Sequence, residues 1–167
     1  MTDNAPETPQ KEMPRIFLVV VDNSEEWRAA LRYACRRAQH TAGRVALLHV
    51  LSPSEIQHWG AIEDVLREEA RNDAEQRLQR VAREVNQLTG TIPILHIREG
   101  APRDELIALI AEEPSISVLV LGADTVSSAG PGPLIQYLTS SRGMAKLRVP
   151  LTIVPGNLST DAIDALT

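Results

Sequence analysis

The residues best suited to hold a ligand follow two short apolar segments. Asp22 ends the segment that begins at Arg15, and Gly122 and Asp124 end the segment that begins at Ser117. A carboxylate in such a position accepts hydrogen bonds from hydroxyl or amine groups, and a glycine allows close approach of the backbone. The pattern predicts a binding site and names no reaction.

Catalysis would need more than these two aspartates. No nucleophile–base pair accompanies Asp22 and Asp124, so we expect a protein that is not an enzyme, and a small hydrolase on the same scaffold is the weaker alternative. His49 and His96 lack further ligands at metal-binding spacing. We therefore expect no metal site and interpret both histidines as packed and hydrogen-bonded, with a pH-responsive role left open. Trp59 is interpreted as a packing residue, with a pocket cover as the alternative.

The loop 122–133 does not match the common phosphate-binding motifs. A dinucleotide fingerprint through Gly130 and Gly132 would need glycine at 135, where Ile135 stands, and no Gly-Lys-Ser/Thr sequence occurs. Pro131 and Pro133 have no N–H to offer a phosphate. The favoured interpretation is a helix-entry turn, with Gly132 as cap and Pro133 at the first helical position. Asp22 is either an Asx turn or N-cap, or a ligand to a ribose hydroxyl or purine amine.

The elements that position these residues alternate between strands and helices. Strands are predicted at about 15–22, 44–51, 92–97, 117–122 and 149–155, with helices at 25–41, 60–88, 102–113 and 133–146. Such alternation predicts a three-layer α/β/α sandwich with a Rossmann-like, five-stranded parallel sheet. Pro93 suits an edge strand, so the expected order is 3-2-1-4-5, which places Asp22 beside Gly122.

Composition limits the possible partners. We expect one domain at 15–156, a disordered tail at 1–14, and a tail or short helix at 157–167. The net charge of −5 and the scarcity of aromatic residues argue against a nucleic-acid partner. No apolar run is long enough to cross a bilayer, so no membrane partner is expected. The single cysteine, Cys35, is expected to be buried and indicates a cytoplasmic location.

Three segments together resemble the universal stress protein family. They are Val21-Asp22-Asn23-Ser24, Leu47-Leu48-His49-Val50, and the strand–loop–helix–strand unit at 117–155. The resemblance covers about 15–156 and implies the same parallel sheet. It also implies a homodimer, here expected through the fifth strand because an apolar edge strand needs cover. Some members of the family bind ATP and others do not.

The nucleotide motif of the ATP-binding members is largely missing. In those members an aspartate after strand one and the backbone near the end of strand two hold adenosine, and Asp22 and Val50 occupy those positions. Their phosphate loop follows the pattern G-x2-G-x9-G-[ST]. Gly122 matches its first glycine, but Thr125 replaces the second. The closing pair falls on Tyr137-Leu138 counted from Pro150, or on Ser140-Ser141 counted from Gly130.

The resulting prediction is a regulatory or protective protein that binds an unknown small molecule or protein partner without strong ATP binding. No cofactor is predicted. The alternative is an ATP- or AMP-binding member that uses the crevice between strands one and four. Its site would comprise Asp22, Val50, Gly122, Gly130, Gly132 and Ser140, with Asp124 in the same crevice.

Overall fold

A computed structural model describes residues 13–53 and 62–167 of the chain. Its strands are β1 (Ile16–Val20), β2 (Arg44–Leu51), β3 (Ile94–Glu99), β4 (Ile116–Ala123) and β5 (Leu151–Pro155). The helices described are α1 (Trp27–His40), α2 (Glu63–Thr89), α3 (Pro102–Glu112), α4 (Pro133–Leu138), α5 (Ser141–Met144) and α6 (Thr160–Leu166).

The five strands form one parallel sheet in the order β3-β2-β1-β4-β5. This confirms the predicted fold class and strand order. In the centre, Val19 of β1 lies between Leu47 of β2 and Val120 of β4. Every residue of β1 is buried, because helices cover both faces of a doubly wound sheet. The carboxyl ends of β1 and β4 therefore meet at one edge.

Helices pack on the two faces of the sheet around separate apolar clusters. On one face, α1 and α2 contribute Leu31 and Leu78 to a cluster with Val19. On the other face, Leu106 of α3 and Leu138 of α4 pack with Leu18. The alternation of Leu18 and Val19 between these clusters follows from the two-residue period of a strand. The short helix α6 joins the α1 side through Ile163, which is 2% exposed.

The bounds of several predicted elements differ from the structure by one to three residues, and one predicted helix is divided. The third strand begins at Ile94 rather than Ile92, after Pro93. The single helix predicted at 133–146 is two short helices, because Ser140 adopts an extended conformation and its hydroxyl accepts the N–H of Gly143 at 3.2 Å. A Cβ on Gly143 would lie 2.1 Å from the carbonyl oxygen of Tyr137, so the corner requires a glycine there.

Some predictions fall on residues outside those the structure describes. Of the predicted tail at 1–14, only residues 13 and 14 are described, and Trp59 also lies outside the described residues. The segment 157–167 contains α6, whose Ser159 side chain caps the helix by accepting the N–H of Ala162. Within residues 13–53 and 62–167, no helix combines the length and apolar character of a membrane span.

Candidate functional site

A cavity of about 210 Å³ lies where β1 and β4 end. It contains Asp22, Gly122, Asp124 and Gly132 among its lining residues, so the structure brings four of the predicted site residues together. The lining residues that sequence reasoning did not select are Val20, Ser24, Glu26, Trp27, Leu121, Pro131, Pro133, Leu134 and Ile135. Their common signal was proximity in sequence to Asp22 or to the loop after β4.

Asp22 forms the turn between β1 and α1. Its Oδ1 accepts the N–H of Ser24 at 2.9 Å, which is an Asx turn, as one of the two sequence interpretations predicts. Its backbone carbonyl accepts the guanidinium of Arg77 from α2. The side chain is exposed and lines the cavity. The turn therefore leaves the second carboxylate oxygen of Asp22 available to a ligand.

Asp124 organises the loop that follows β4. Its Oδ1 accepts the N–H of Val126 at 2.7 Å and that of Ser127 at 3.0 Å. These two hydrogen bonds, the one from Ser127 first, lower the pKa of Asp124 below its usual range. The Ser127 hydroxyl in turn accepts the N–H of Ala129 at 3.1 Å. Three backbone donors of the loop are thus already bonded to side chains of the loop.

Gly122 has a packing role. A Cβ at this position would lie 2.0 Å from the carbonyl oxygen of Glu26 at the start of α1. No side chain fits in that space, so glycine permits the first turn of α1 to lie against the end of β4. This contact also brings the half-buried Glu26 and the buried Trp27 to the cavity wall.

The entry to α4 has the arrangement predicted from sequence. Gly132, with φ 114°, is the N-cap, and Pro133 is the first helical residue. Gly130 also has a positive φ, 102°, and a Cβ there would lie 2.5 Å from Nε2 of Gln136. That Gln136 amide donates to the carbonyl of Ala129 at 2.7 Å, which ties the loop to α4.

Three of the predicted site residues are not part of the cavity wall. Val50 pairs with Arg98 of β3 and packs against the apolar cluster under α3. Ser140 caps α5, and its hydroxyl also donates to the carbonyl of Tyr137 at 2.6 Å. Gly130 lies within the loop and does not line the cavity. Tertiary packing decides which of the predicted residues line the cavity and which do not.

The two histidines of neighbouring strands face opposite sides of the sheet. His49 pairs with Ile97 in register, whereas His96 pairs with Leu48, one position earlier. Nδ1 of His49 lies 2.6 Å from the carbonyl oxygen of Val21. Burial lowers the pKa of His96. Among the described residues, no three metal-ligating side chains come together.

The sequence model of the family described as "Universal stress protein family" matches residues 13–155. The chain belongs to the universal stress protein family. No curated protein matches it in a sequence comparison. The match covers most of the chain and includes all five strands.

Solved universal stress proteins share this fold. The UspA protein of Lactobacillus plantarum superposes with a TM-score of 0.68 at 21% identity, covering 84% of this chain and 97% of that one. A universal stress protein of Archaeoglobus fulgidus in complex with dAMP has a TM-score of 0.55 at 17% identity, covering 84% and 97%. A family protein of Arabidopsis thaliana with AMP bound has a TM-score of 0.56 at 16% identity, covering 85% and 92%.

The charge of the cavity is unusual for a phosphate site. Three carboxylates line it, those of Asp22, Glu26 and Asp124, and its described lining contains no lysine or arginine. Apart from Ser24, the other side chains of the wall are apolar and include Trp27, which is 4% exposed. In this universal stress protein, the wall is suited to an uncharged or positively charged ligand with an apolar surface.

Proposed function

We propose that this universal stress protein acts by binding, and that its β1/β4 cavity takes a small ligand without a phosphate chain. The ligand class is a nucleoside-like or amine-bearing molecule, held by the Asp22 carboxylate and packed against apolar wall residues. ATP is at most a weak ligand in this proposal. Its proposed role is regulatory or protective in stress, and family membership supports this proposal.

The observation that carries the proposal is the hydrogen bonding of Asp124. A phosphate is bound by backbone N–H groups that point at its oxygens. Here Asp124 already accepts the N–H groups of Val126 and Ser127, so a carboxylate of the protein occupies the position that a phosphate oxygen would take. A phosphate would have to displace that carboxylate and then remain close to its negative charge.

The surrounding residues also disfavour the binding of a phosphate. Pro131 and Pro133 lie in the cavity wall and have no N–H to donate. Glu26 adds a third negative charge near Asp22 and Asp124. Because no lysine or arginine among the described lining residues offsets these charges, each added phosphate makes binding less favourable.

Binding of a nucleoside monophosphate is the second candidate. It is favoured by the neighbours in complex with AMP and dAMP, and by a universal stress protein in complex with cAMP, which superposes with a TM-score of 0.50 at 18% identity. Each of these ligands carries a single phosphate. A monophosphate could project from the 210 Å³ cavity into solvent, away from the carboxylates.

Calorimetric titrations with adenosine, AMP and ATP in the presence of Mg²⁺ test the proposal. We expect the affinity to fall in that order, and adenosine binding to be lost in Asp22→Ala. The proposal would be overturned if adenosine bound weakly while ATP bound below about 100 μM and the ATP affinity fell in Asp22→Ala. AMP binding tighter than adenosine would establish the second candidate instead.

We further propose that the protein is not an enzyme and that it is a cytoplasmic homodimer. Ser24 is the one hydroxyl among the described lining residues, which include no histidine, lysine or cysteine to activate it. Turnover of phosphoester or acyl-ester substrates that Ser24→Ala abolishes would contradict the first point. The cytoplasmic location rests on the single, buried Cys35. The dimer interface is proposed at β5, whose outer edge is unpaired in the described sheet.

A further inference from the structure

A second cleft, of about 370 Å³, lies on the other side of the Asp22–Asn23 turn. It is formed by the end of β2, the Asn23 side of that turn and one face of α2. Its titratable lining residues are His49, Arg77, Arg80 and Asp73. None of these residues lines the β1/β4 cavity, so the cleft is a separate candidate site.

His49 presents a hydrogen-bond acceptor at this cleft. The residue is 6% exposed, and its Nδ1 lies 2.6 Å from the carbonyl oxygen of Val21. Because a carbonyl only accepts, Nδ1 carries the proton, and Nε2 of the neutral ring is left with a lone pair. Within residues 13–53 and 62–167, Nε2 has no hydrogen-bond partner. His49 lines the cleft, so this free acceptor is offered to a ligand that donates a hydrogen bond.

The arginines of the cleft are not neutralised by carboxylates. Arg77 donates to the side-chain oxygen of Asn23 at 2.7 Å and to the carbonyl of Asp22, both of which are uncharged acceptors. Arg80 forms no ion pair or hydrogen bond with any described residue. By contrast, Arg67 and Arg71 of the same helix pair with Glu63 and Glu75.

Asp73 is the single carboxylate among the described lining residues of this cleft. It forms no ion pair with either arginine, although it precedes Arg77 by one helical turn. Two guanidinium groups therefore face one carboxylate, and the cleft has an excess of positive charge. This is the opposite of the carboxylate-lined cavity on the other side of the turn.

We propose that this cleft binds a small oxyanion that carries one O–H group. Arg80, together with the N–H groups of Arg77 that remain unused, holds the negative charge, and Nε2 of His49 accepts the O–H. Inorganic phosphate, as hydrogen phosphate, and hydroxycarboxylates share this chemistry. The site does not depend on the ligand of the β1/β4 cavity, because it uses different side chains.

Two matched pairs of anions test the proposal in the full-length protein. At about pH 8, where an imidazole is ordinarily neutral, hydrogen phosphate and sulfate are both dianions, but only hydrogen phosphate has an O–H. Glycolate and acetate differ in the same way among carboxylates. Titration is followed by ¹H–¹⁵N spectra of the arginine side chains and of the His49 ring. We expect saturable binding of the O–H member of at least one pair, about tenfold tighter than its partner.

Variants separate the role of Arg80, which holds the charge, from that of His49, which accepts the O–H. Arg80→Gln should weaken the preferred anion about tenfold, whereas Arg83→Gln, the same charge change at an exposed position outside the cleft, should leave it unchanged. His49→Asn keeps a donor near the Val21 carbonyl and removes the acceptor at the position of Nε2, so it should abolish the preference within a pair while sulfate or acetate still binds. Preference for phosphate over glycolate identifies inorganic phosphate as the ligand, and the reverse identifies a hydroxycarboxylate.

Three results would overturn the proposal. The first is no saturable binding of any of the four anions at millimolar concentration. The second is equal weakening by Arg80→Gln and Arg83→Gln, which would show only a general charge effect. The third is an unchanged preference in His49→Asn whose melting temperature equals that of the wild type. These results do not depend on whether Asp22→Ala loses adenosine binding. The cleft proposal and the proposed function can therefore fail separately.

Discussion

The carbonyl oxygen of Glu26 lies where the side chain of residue 122 would be. A Cβ on Gly122 would stand 2.0 Å from that oxygen and 2.4 Å from the carbonyl carbon. The first turn of α1 thus rests on the end of β4, and this contact forms one wall of the β1/β4 cavity. The glycine that resembles a phosphate-loop residue in sequence is required here by backbone packing.

Gly122→Ala should destabilise the protein by about 3 kcal/mol, because the clash is with backbone and cannot be relieved by a side-chain rotation. Urea unfolding measures the change in free energy. Gly90→Ala is the matched control: Gly90 has φ 75° and open space around its Cβ position, so only conformational strain of about 1 kcal/mol is expected. Equal effects of the two substitutions would show that the Glu26 contact is not tight.

Asp164 of α6 should make stability depend on pH. It accepts hydrogen bonds from Arg36 and Arg32 of α1, with shortest distances of 2.7 Å and 2.6 Å, and these bonds hold its pKa far below its usual range. Because the pKa is lower in the folded state, the stabilisation is present above the ordinary aspartate pKa, about 3.9, and is lost as pH falls below it.

Asp164→Asn is therefore expected to lower Tm by a few degrees between about pH 5 and 8, with the difference from the wild type shrinking below about pH 4. Thermal melts at several pH values measure it. Asp161→Asn, at an exposed position of the same helix, serves as control and should show little pH-dependent difference. A difference for Asp164→Asn that does not change with pH would contradict the assignment.

Asp124 should determine how poorly ATP binds. Asp124→Ala removes the charge and releases the N–H groups of Val126 and Ser127, so we expect about tenfold tighter ATP binding than in the wild type. Asp124→Asn keeps an acceptor for both N–H groups and removes only the charge, so its gain should be smaller. Calorimetry measures both. If Asp124→Ala retains its circular dichroism spectrum and gains no affinity, Asp124 is not what excludes the phosphates.

Cys35 should be chemically inert in the folded protein. It is fully buried on α1, as predicted from sequence, and this burial raises its pKa to about 12. At about pH 8 the thiolate fraction is then about a thousandfold below that of an ordinary cysteine. We expect no reaction with a disulfide reagent until urea unfolds the chain. Rapid labelling of the native protein would instead support a redox role.

Ile153 should lie in the proposed dimer interface. It is on the edge strand β5 and is 40% exposed. A lysine on an exposed edge disfavours strand-edge association, so Ile153→Lys is expected to raise the dimer dissociation constant at least about tenfold. Light scattering after size exclusion measures it. Val126→Lys, in the loop after β4 at 93% exposure, is the control. A wild-type monomer would refute the interface.

Periodicity along the chain was sufficient to predict the fold. Buried parallel strands are continuous apolar runs, as in 16–20 and 118–121, and amphipathic helices separate them, so the alternation of elements is a local property. Pro93 indicated the edge, and with it the order of strands. The place of the site followed, because the carboxyl ends of β1 and β4 must meet at the switch point.

The membership and charge of the site were decided only by tertiary packing. Val50 and Ser140 match family positions in sequence, yet Val50 packs beneath α3 and Ser140 caps α5. Glu26 and Trp27 have no motif, and they reach the cavity because α1 rests on Gly122. The hydrogen bonds of Asp124, and the partnerless Nε2 of His49, depend on loop geometry and on distances between elements. Local periodicity fixes neither, because both arise when segments far apart in the chain pack together.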